Sequence, residues 1–342
     1  MPDAAPLIPY YPRVPDHVRI TDVSPRDGLQ NEPGHIAAVD KARLVELLAD
    51  AGLDEIEVSS FVSPKWIPQL GDADEVFARV VEVKSRGSGP GSHISNPDSQ
   101  ISNLKSPILS LSALVPNEQG MLGALTVNER AGFKLIDKVS VFTAASETFT
   151  QRNTNATIEE SLRRFEPVVA LAHEHNLDVR AYISCIVACP FEGPIDPRAV
   201  ADVASRLAQM NIDELDLGDT IGRATPENLA PVLTETLAAI GQDWLSPDRF
   251  TLHLHDTFGR AAECVQAALD LGVRSFDSSA AGLGGCPYAS TPDRRAPGNI
   301  ATDTLVRTIV DAGYETSVDL DHLAEAAEFA AHITERARAE GT

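Results

Sequence analysis

The sequence predicts a (β/α)8 (TIM) barrel with an N-terminal arm and a C-terminal helix. Two observations predict it. Eight short apolar, β-branched runs recur along the chain, and amphipathic helical stretches separate most of them. Strand and helix alternating in this way give a parallel sheet, and eight repeats point to a closed one, although a doubly wound sheet shares the alternation. A chain of 342 residues, 43% of them hydrophobic, has ample material for the core. A β/α barrel takes about 250 residues as one unit. The expected limits are an arm over 1–17, the barrel over 18–318 and a C-terminal helix over 319–342.

The first strand, VRITDVS (18–24), runs into Ser24-Pro25-Arg26-Asp27-Gly28. The helix VDKARLVELLADAG follows, with Leu44, Leu47 and Leu48 on one face. The second strand, DEIEVSSF (54–61), carries Glu57 between Ile56 and Val58. A stretch rich in Ser, Gly and Pro (85–107) reads as a long surface loop before the third strand, ILSLSALV (108–115). DKVSVFTA (137–144) and DVRAYISCIV (178–187) are the fourth and fifth strands, separated by SLRRFEPVVALAHEHN. After the helix RAVADVASRLAQMN comes DELDLGD (213–219), which ends in Gly218-Asp219-Thr220. FTLHLHDT (250–257) is the seventh strand, RAAECVQAALDLG the helix behind it, and SFDSSAA (275–281) the eighth strand. The eighth strand leads into GLGGCPYASTPDRRAPGN (282–299). The final VDLDHLAEAAEFAAHITERARAE is a long amphipathic helix, expected to pack on the barrel or on a second subunit.

Composition excludes several classes. Lys and Arg number 28 against 50 Asp and Glu, a formal charge of −22, so the chain lacks the positive field that nucleic acid requires. No apolar run reaches membrane-spanning length. The proline-rich N-terminus reads as an arm and not as a targeting peptide. Cys185, Cys189, Cys264 and Cys286 are too scattered for a disulfide framework, which fits a reducing, cytoplasmic setting.

In a barrel, active-site groups gather at the C-terminal ends of the strands. The strongest local signal there is TLHLHDTFG. On a strand His253 and His255 project to one side, while Leu252 and Leu254 face the helices. Such a pair is either a hydrogen-bonded couple in the core or two metal ligands. His173 and His175 have the same spacing but fall in a helix, where positions i and i+2 diverge by about 200°; they read as solvated. Asp27 at the end of another strand adds an oxygen ligand. Side-chain chemistry alone admits Mg, Mn, Zn or Fe acting as a Lewis acid.

Arg26, flanked by Pro and Gly just past a strand, is suited to bind an anion or oxyanion. Glu57 needs a partner if buried, and Arg26 is the expected one. Asp219 is read as a ligand, a base or a cap for the following turn. Cys286, presented by a glycine-rich turn, is a structural thiol or an acid/base group.

Taken together, SPRDGLQNEP (24–33), SSFVSPKWIPQLGD (59–72), AASETFTQRN (144–153), LGDTIG (217–222), HLHDTFGRA (253–261) and GLGGCPYA (282–289) make the chain resemble the 3-hydroxy-3-methylglutaryl-CoA lyase (HMG-CoA lyase) group of DRE-TIM metallolyases, over roughly residues 17–335. The resemblance implies a TIM barrel holding Mg2+ or Mn2+, with no organic cofactor. It implies a retro-Claisen cleavage of an acyl-CoA substrate to acetyl-CoA and a ketoacid, acetoacetate in the parent reaction. It implies metal ligands at Asp27, His253, His255 and Asn299. Arg26, Cys286, His253, Asp219 and Glu57 are then catalytic, and Arg26, Gln30 and Ser60 bind substrate. The implied partner set is a small acyl-CoA and a second copy of the chain in a homodimer, with neither nucleic acid nor membrane.

The chain departs from the family pattern in three places. Thirteen positions, and not nine, separate Cys286 from Asn299, and the added stretch includes Arg294 and Arg295. Asp216 stands where the family commonly has a hydroxyl residue. The 85–107 loop is longer than usual. Two other functions keep a place beside HMG-CoA cleavage: the same chemistry on another 3-hydroxyacyl-CoA, and an isopropylmalate-synthase-like condensation. The cysteine in GLGGCPYA and the lack of a regulatory domain after the barrel favour cleavage.

Overall fold

The computed structural model describes residues 16–87, 109–285 and 298–340. Eight parallel strands close a barrel: β1 (Arg19–Asp22), β2 (Glu55–Ser60), β3 (Ser110–Leu114), β4 (Lys138–Ala144), β5 (Asp178–Ser184), β6 (Glu214–Asp219), β7 (Phe250–Leu254) and β8 (Ser275–Ser278). They neighbour one another in chain order, and β1 pairs with both β8 and β2 to shut the cylinder. All eight predicted strands are present, so the closed alternative holds over the doubly wound one.

The helices form the outer layer. They are α1 (Ala38–Asp50), α2 (Ala73–Arg79), α3 (Val81–Gly87), α4 (Glu118–Ala131), α5 (Glu147–Thr154), α6 (Ile158–Glu174), α7 (Pro197–Gln209), α8 (Pro226–Ile240), α9 (Ala261–Asp270), α10 (Thr302–Asp311) and α11 (Leu320–Glu340). Their starts follow local chemistry. Thr157 and Glu160 form a reciprocal capping box on α6, and Asn117 caps α4. The apolar stripes pack inward: Leu44, Leu47 and Leu48 of α1 are buried, as are Leu252 and Leu254 on the outer side of β7. Helix α11 lies against α1 and buries Leu323, Ala326, Ala330, Ile333 and Ala337.

Four expectations shift. The predicted loop from 85 begins later, because α3 continues to Gly87; the rest of that stretch through 107 lies outside the described residues. Strand β5 stops at Ser184, where Cys185 takes a left-handed φ of 61° that a strand cannot continue. Strand β8 stops at Ser278 and passes into a tight turn over Ala280–Gly282. His173 is half-buried and pairs with Asp213 at 2.9 Å, so of the two helical histidines only His175 is solvated.

Barrels of this class usually fill their interior with branched aliphatic side chains. Here the floor is charged. Glu55 and Glu214, both fully buried, are shared by Arg19, Lys138 and Arg180. Arg180 reaches Glu214 at 2.8 Å and Asp277 at 3.0 Å. Such a cluster holds only if nearly every charge finds an opposite one, since desolvating each ion costs several kcal/mol.

Candidate active site

The site is built on the C-terminal rim of this cylinder. After β1 the chain makes one wide helical turn over Ser24–Gly28, which Pro25 starts without losing a needed donor. Asp22 anchors the turn. Its carboxylate accepts the Ser24 N–H at 2.8 Å, the Ala280 N–H at 3.0 Å and the Thr302 hydroxyl at 2.8 Å, tying the turn to the chain beyond β8. Burial raises its pKa to about 6.

The turn sets Arg26 and Asp27 over the barrel mouth. Arg26 Nε donates to Glu57 Oε2 at 2.5 Å and Nη1 donates to Asp27 Oδ1 at 2.8 Å. Its guanidinium carbon lies 5.6 Å from the centre of the Tyr182 ring. Burial works against the guanidinium charge, but Glu57 and Asp27 outweigh it and raise the pKa. Glu57 has no exposure and serves as the partner predicted for Arg26.

His253 and His255 project together from β7 and its end, with Nε2 atoms 3.2 Å apart. The other nitrogen of His253, Nδ1, meets Asp277 Oδ2 at 3.1 Å, because Asp277 sits beside it in the β7–β8 register. Burial, and then the neighbouring His253, lower the pKa of His255 to about 4, which keeps it in the neutral form that binds metals. Burial pushes Asp27 up, but Arg26 and both imidazoles bring it down to about 2.

Asp27, His253 and His255 present one ligand atom each within 4.8 Å of one another, a group able to hold a metal ion. Asn299 joins them. It bridges to His255, and its Nδ2 donates to Asp27 Oδ2 at 2.9 Å and to the Leu283 carbonyl at 3.0 Å. Its Oδ1 is buried with no hydrogen-bond partner among the described residues. An amide oxygen left over beside a carboxylate and two imidazoles completes a donor set that fits a divalent cation.

These groups open into a cavity of about 590 Å3, lined also by Gln30, Asn31, Trp66, Tyr182, Thr220 and Gly285. Gly284 stands against the ligands. Its φ is 101°, and a Cβ there would meet Asn299 Nδ2 at 2.7 Å and Asp27 Oδ2 at 3.1 Å. Glycine is needed on both counts.

Of the remaining predicted residues, Gln30 reaches the cavity. Ser60 is buried outside the lining with its hydroxyl accepting the Val62 N–H at 3.1 Å, while Ser63 faces the cavity in its stead. Asp219 does the capping job: it accepts the Arg223 and Ala224 N–H groups at 3.0 and 2.7 Å, and burial raises its pKa to about 6. Cys286, Arg294 and Arg295 lie outside the described residues.

Three residues escaped the sequence reading: Tyr182, which lines the cavity, and Arg180 and Asp277 beneath it. A signal existed. Arg180 is a charge set between Val179 and Ala181 on a strand, at the period that points inward; Asp277, between Phe276 and Ser278, carries no such signal.

Comparison with known proteins now bears on this geometry. The HMGL-like family matches residues 119–330. A Pseudomonas aeruginosa protein, 3-hydroxy-3-isohexenylglutaryl-CoA/hydroxy-methylglutaryl-CoA lyase, is 42% identical over 313 residues, covering 92% of this chain and 91% of its own length. The chain belongs to the HMGL-like family. Among solved structures, hydroxymethylglutaryl-CoA lyase from P. aeruginosa superposes with a TM-score of 0.78 at 40% identity, covering 94% of each chain. An HMG-CoA lyase from Acinetobacter baumannii, solved in complex with coenzyme A and 3-methylmalate, gives 0.76 at 31% identity, covering 94% of this chain and 92% of its own. The HMGL-like barrel is thus the frame on which the rim cluster is displayed, and it places Arg26 next to the metal-type group in one cavity.

Proposed function

We propose that the protein is a metal-dependent carbon–carbon lyase that cleaves 3-hydroxy-3-methylglutaryl-CoA to acetyl-CoA and acetoacetate. The observation that carries this is a charged, immobilised arginine in direct contact with a carboxylate–bis-imidazole–amide cluster, both lining one cavity. When bound, a divalent cation, Mg2+ or Mn2+, supplies Lewis acidity that eases loss of a proton from a tertiary hydroxyl.

This chain's residues account for the rest. Asp27, His253, His255 and Asn299 are the ligands. As the hydroxyl gives up its proton, its oxygen forms the carbonyl of acetoacetate and the C2–C3 bond breaks, sending its electron pair to the thioester as an enolate. Arg26 stabilises the enolate oxygen, and because Glu57 and Asp27 already hold it, no reorganisation is needed at that moment. Asp277 holds the His253 ring through Nδ1, so His253 would relay the hydroxyl proton only through Nε2, in turn with that atom's role as a ligand. Cys286 delivers a proton to the enolate carbon, giving acetyl-CoA. Gln30 stands where it can hold the acyl chain.

A second reading of the same chemistry has a specific observation behind it. A relative 42% identical is named for two substrates, one with a longer isohexenyl substituent, and this chain's Cys286-to-Asn299 stretch is longer than usual. The protein would work as a cytoplasmic homodimer. Cys189 and Cys264 are buried thiols, in keeping with a reducing compartment. No helix among the described residues is long and apolar enough to cross a membrane.

Acetyl-CoA release should be measured from a panel of 3-hydroxyacyl-CoAs with Mg2+, Mn2+ or EDTA. HMG-CoA should be cleaved with metal and spared with EDTA. A kcat/KM at least tenfold higher for a longer 3-substituent would move the assignment to the second reading. Condensation of acetyl-CoA with a ketoacid, without cleavage, would overturn both in favour of a synthase.

A further inference from the structure

The segment SSFVSPKWIPQLGD contains a residue that the chemistry above does not employ. Gln69 sits on the short turn Pro68–Leu70, is 8% exposed and stays outside the cavity lining. All its side-chain hydrogen bonds go to the backbone of one stretch. Its Oε1 accepts the Ile36 N–H at 3.1 Å, and Nε2 donates to the Gly34 carbonyl at 2.7 Å and the Glu32 carbonyl at 3.4 Å. That stretch continues directly from Gln30 and Asn31, which line the cavity, and the turn carrying Gln69 continues from Trp66 and Ile67, which line it too. Fully buried Lys41 fixes the turn in its place, donating to the Gln69 carbonyl and to Asp72 at 2.7 Å.

The same stretch is gripped by the end of α11. Arg338 makes a bidentate pair with Glu32, Nε and Nη2 each at 2.8 Å. Gly34 lies so close to the last turn of α11 that a Cβ on it would stand 1.9 Å from the Ala337 carbonyl oxygen. The stretch 32–36 is therefore held by Gln69 and by the far end of a helix that contributes nothing to the cavity lining.

We propose that Gln69 and the Glu32–Arg338 pair are positioning residues that fix the Gln30–Asn31 wall of the cavity, so that the last turn of the C-terminal helix sets the affinity for acyl-CoA. The proposal rests on the lyase reading for its choice of ligand. A wall that binds ground state and transition state alike affects KM and leaves kcat alone. A bidentate guanidinium–carboxylate fork is directional, and a lysine reproduces only part of it.

The test uses the full chain. Arg338→Ala should raise KM for HMG-CoA about tenfold with kcat within about twofold, and Arg338→Lys should recover part of the loss. Gln69→Glu, isosteric but placing an acceptor against the Gly34 carbonyl, should act in the same direction. Arg336→Ala is the control: Arg336 lies on the same turns of α11 but pairs with Asp40 of α1, and its removal should lower Tm without moving KM. Loss of Tm with unchanged KM in Arg338→Ala would overturn the proposal, as would an equal rise in KM for Arg336→Ala. Binding of acetyl-CoA by calorimetry runs in parallel. If the wild type binds acetyl-CoA but cleaves nothing, the lyase reading falls, while the Kd of the Arg338 variants still decides the positioning claim: a tenfold rise supports it and no change overturns it.

Discussion

A single interior carboxyl shows how tightly charge is balanced in this barrel. Arg19, Arg26, Lys138 and Arg180 are the cations inside the described cylinder, and Glu55, Glu57, Glu214, Asp216 and Asp277 are set among them. Arg180 is committed to Glu214 and Asp277, and stands 3.5 Å from Asp216. Burial and then the nearby Asp277 raise the pKa of Asp216 well above the usual carboxylate range. A protonated Asp216 offers an O–H to its neighbours. The folded chain therefore keeps a proton that the unfolded chain loses above about pH 4. Stability from this group is complete below pH 4 and declines as pH rises. Asp216→Asn cannot titrate, so its stability relative to wild type should improve with pH, by up to ~1.4 kcal/mol per pH unit above 4 until the folded carboxyl ionises. Urea unfolding at pH 5, 6, 7 and 8 measures the gap, and a pH-independent gap would contradict the assignment. At this scale His253 and His255 were legible in the sequence as a pair, because a strand's two-residue period turns them to one side; Asp27 was legible only as a carboxylate just past β1, since the helical turn that aims it has no strand period. Asp277 was not, since its importance comes from the β7–β8 register, which no local pattern encodes.

Elements were easier to read than their ends. The eight strands announce themselves by apolar and β-branched runs, and α1, α6, α7, α9 and α11 by an apolar stripe; the other helices were not read from the sequence. Ends depend on backbone conformations that neighbours impose: a left-handed Cys185, a turn after Ser278, a helix that persists to Gly87. Ser60 illustrates the same limit. Its place in a recognisable segment suggested substrate contact, but the bend after β2 commits its hydroxyl to Val62. The glycine turn after β8 makes a sharper point. Gly284→Ala should cost about 1–3 kcal/mol through its positive φ alone. The added methyl should also push on Asn299 and Asp27, weakening Mn2+ binding about tenfold or more. Titration of Mn2+ followed by electron paramagnetic resonance would read this; wild-type affinity in the variant would show that the turn does not bear on the ligands.

Across the whole molecule, the ligand group joins parts distant in sequence: the turn after β1, the end of β7 and the chain returning at Asn299. A cation bound there closes the cylinder's first and last segments together, and so favours the folded over the unfolded chain. Saturation at a hundred times Kd is worth ~2.7 kcal/mol. Stripping metal with EDTA should accordingly lower Tm by several degrees, and Mn2+ should restore it. In His255→Ala the Tm should no longer respond to either treatment, and a response that survived would place the stabilising ion elsewhere.

The contacts between Leu283 and Asn299 have one more consequence. The Asn299 N–H and Nδ2 both donate to the Leu283 carbonyl, at 3.3 and 3.0 Å, and Gly298 packs directly on Leu283 and Gly284. The chain is thus pinned shut at the root, and Asn299 is registered from below whatever number of residues intervenes. Loop closure entropy grows only slowly with length. Extra residues between the two anchors therefore cost little and leave the ligand where it is. Exchanging that segment for one of another length, with Cys286 kept at its first position, should therefore leave Asn299 where it is.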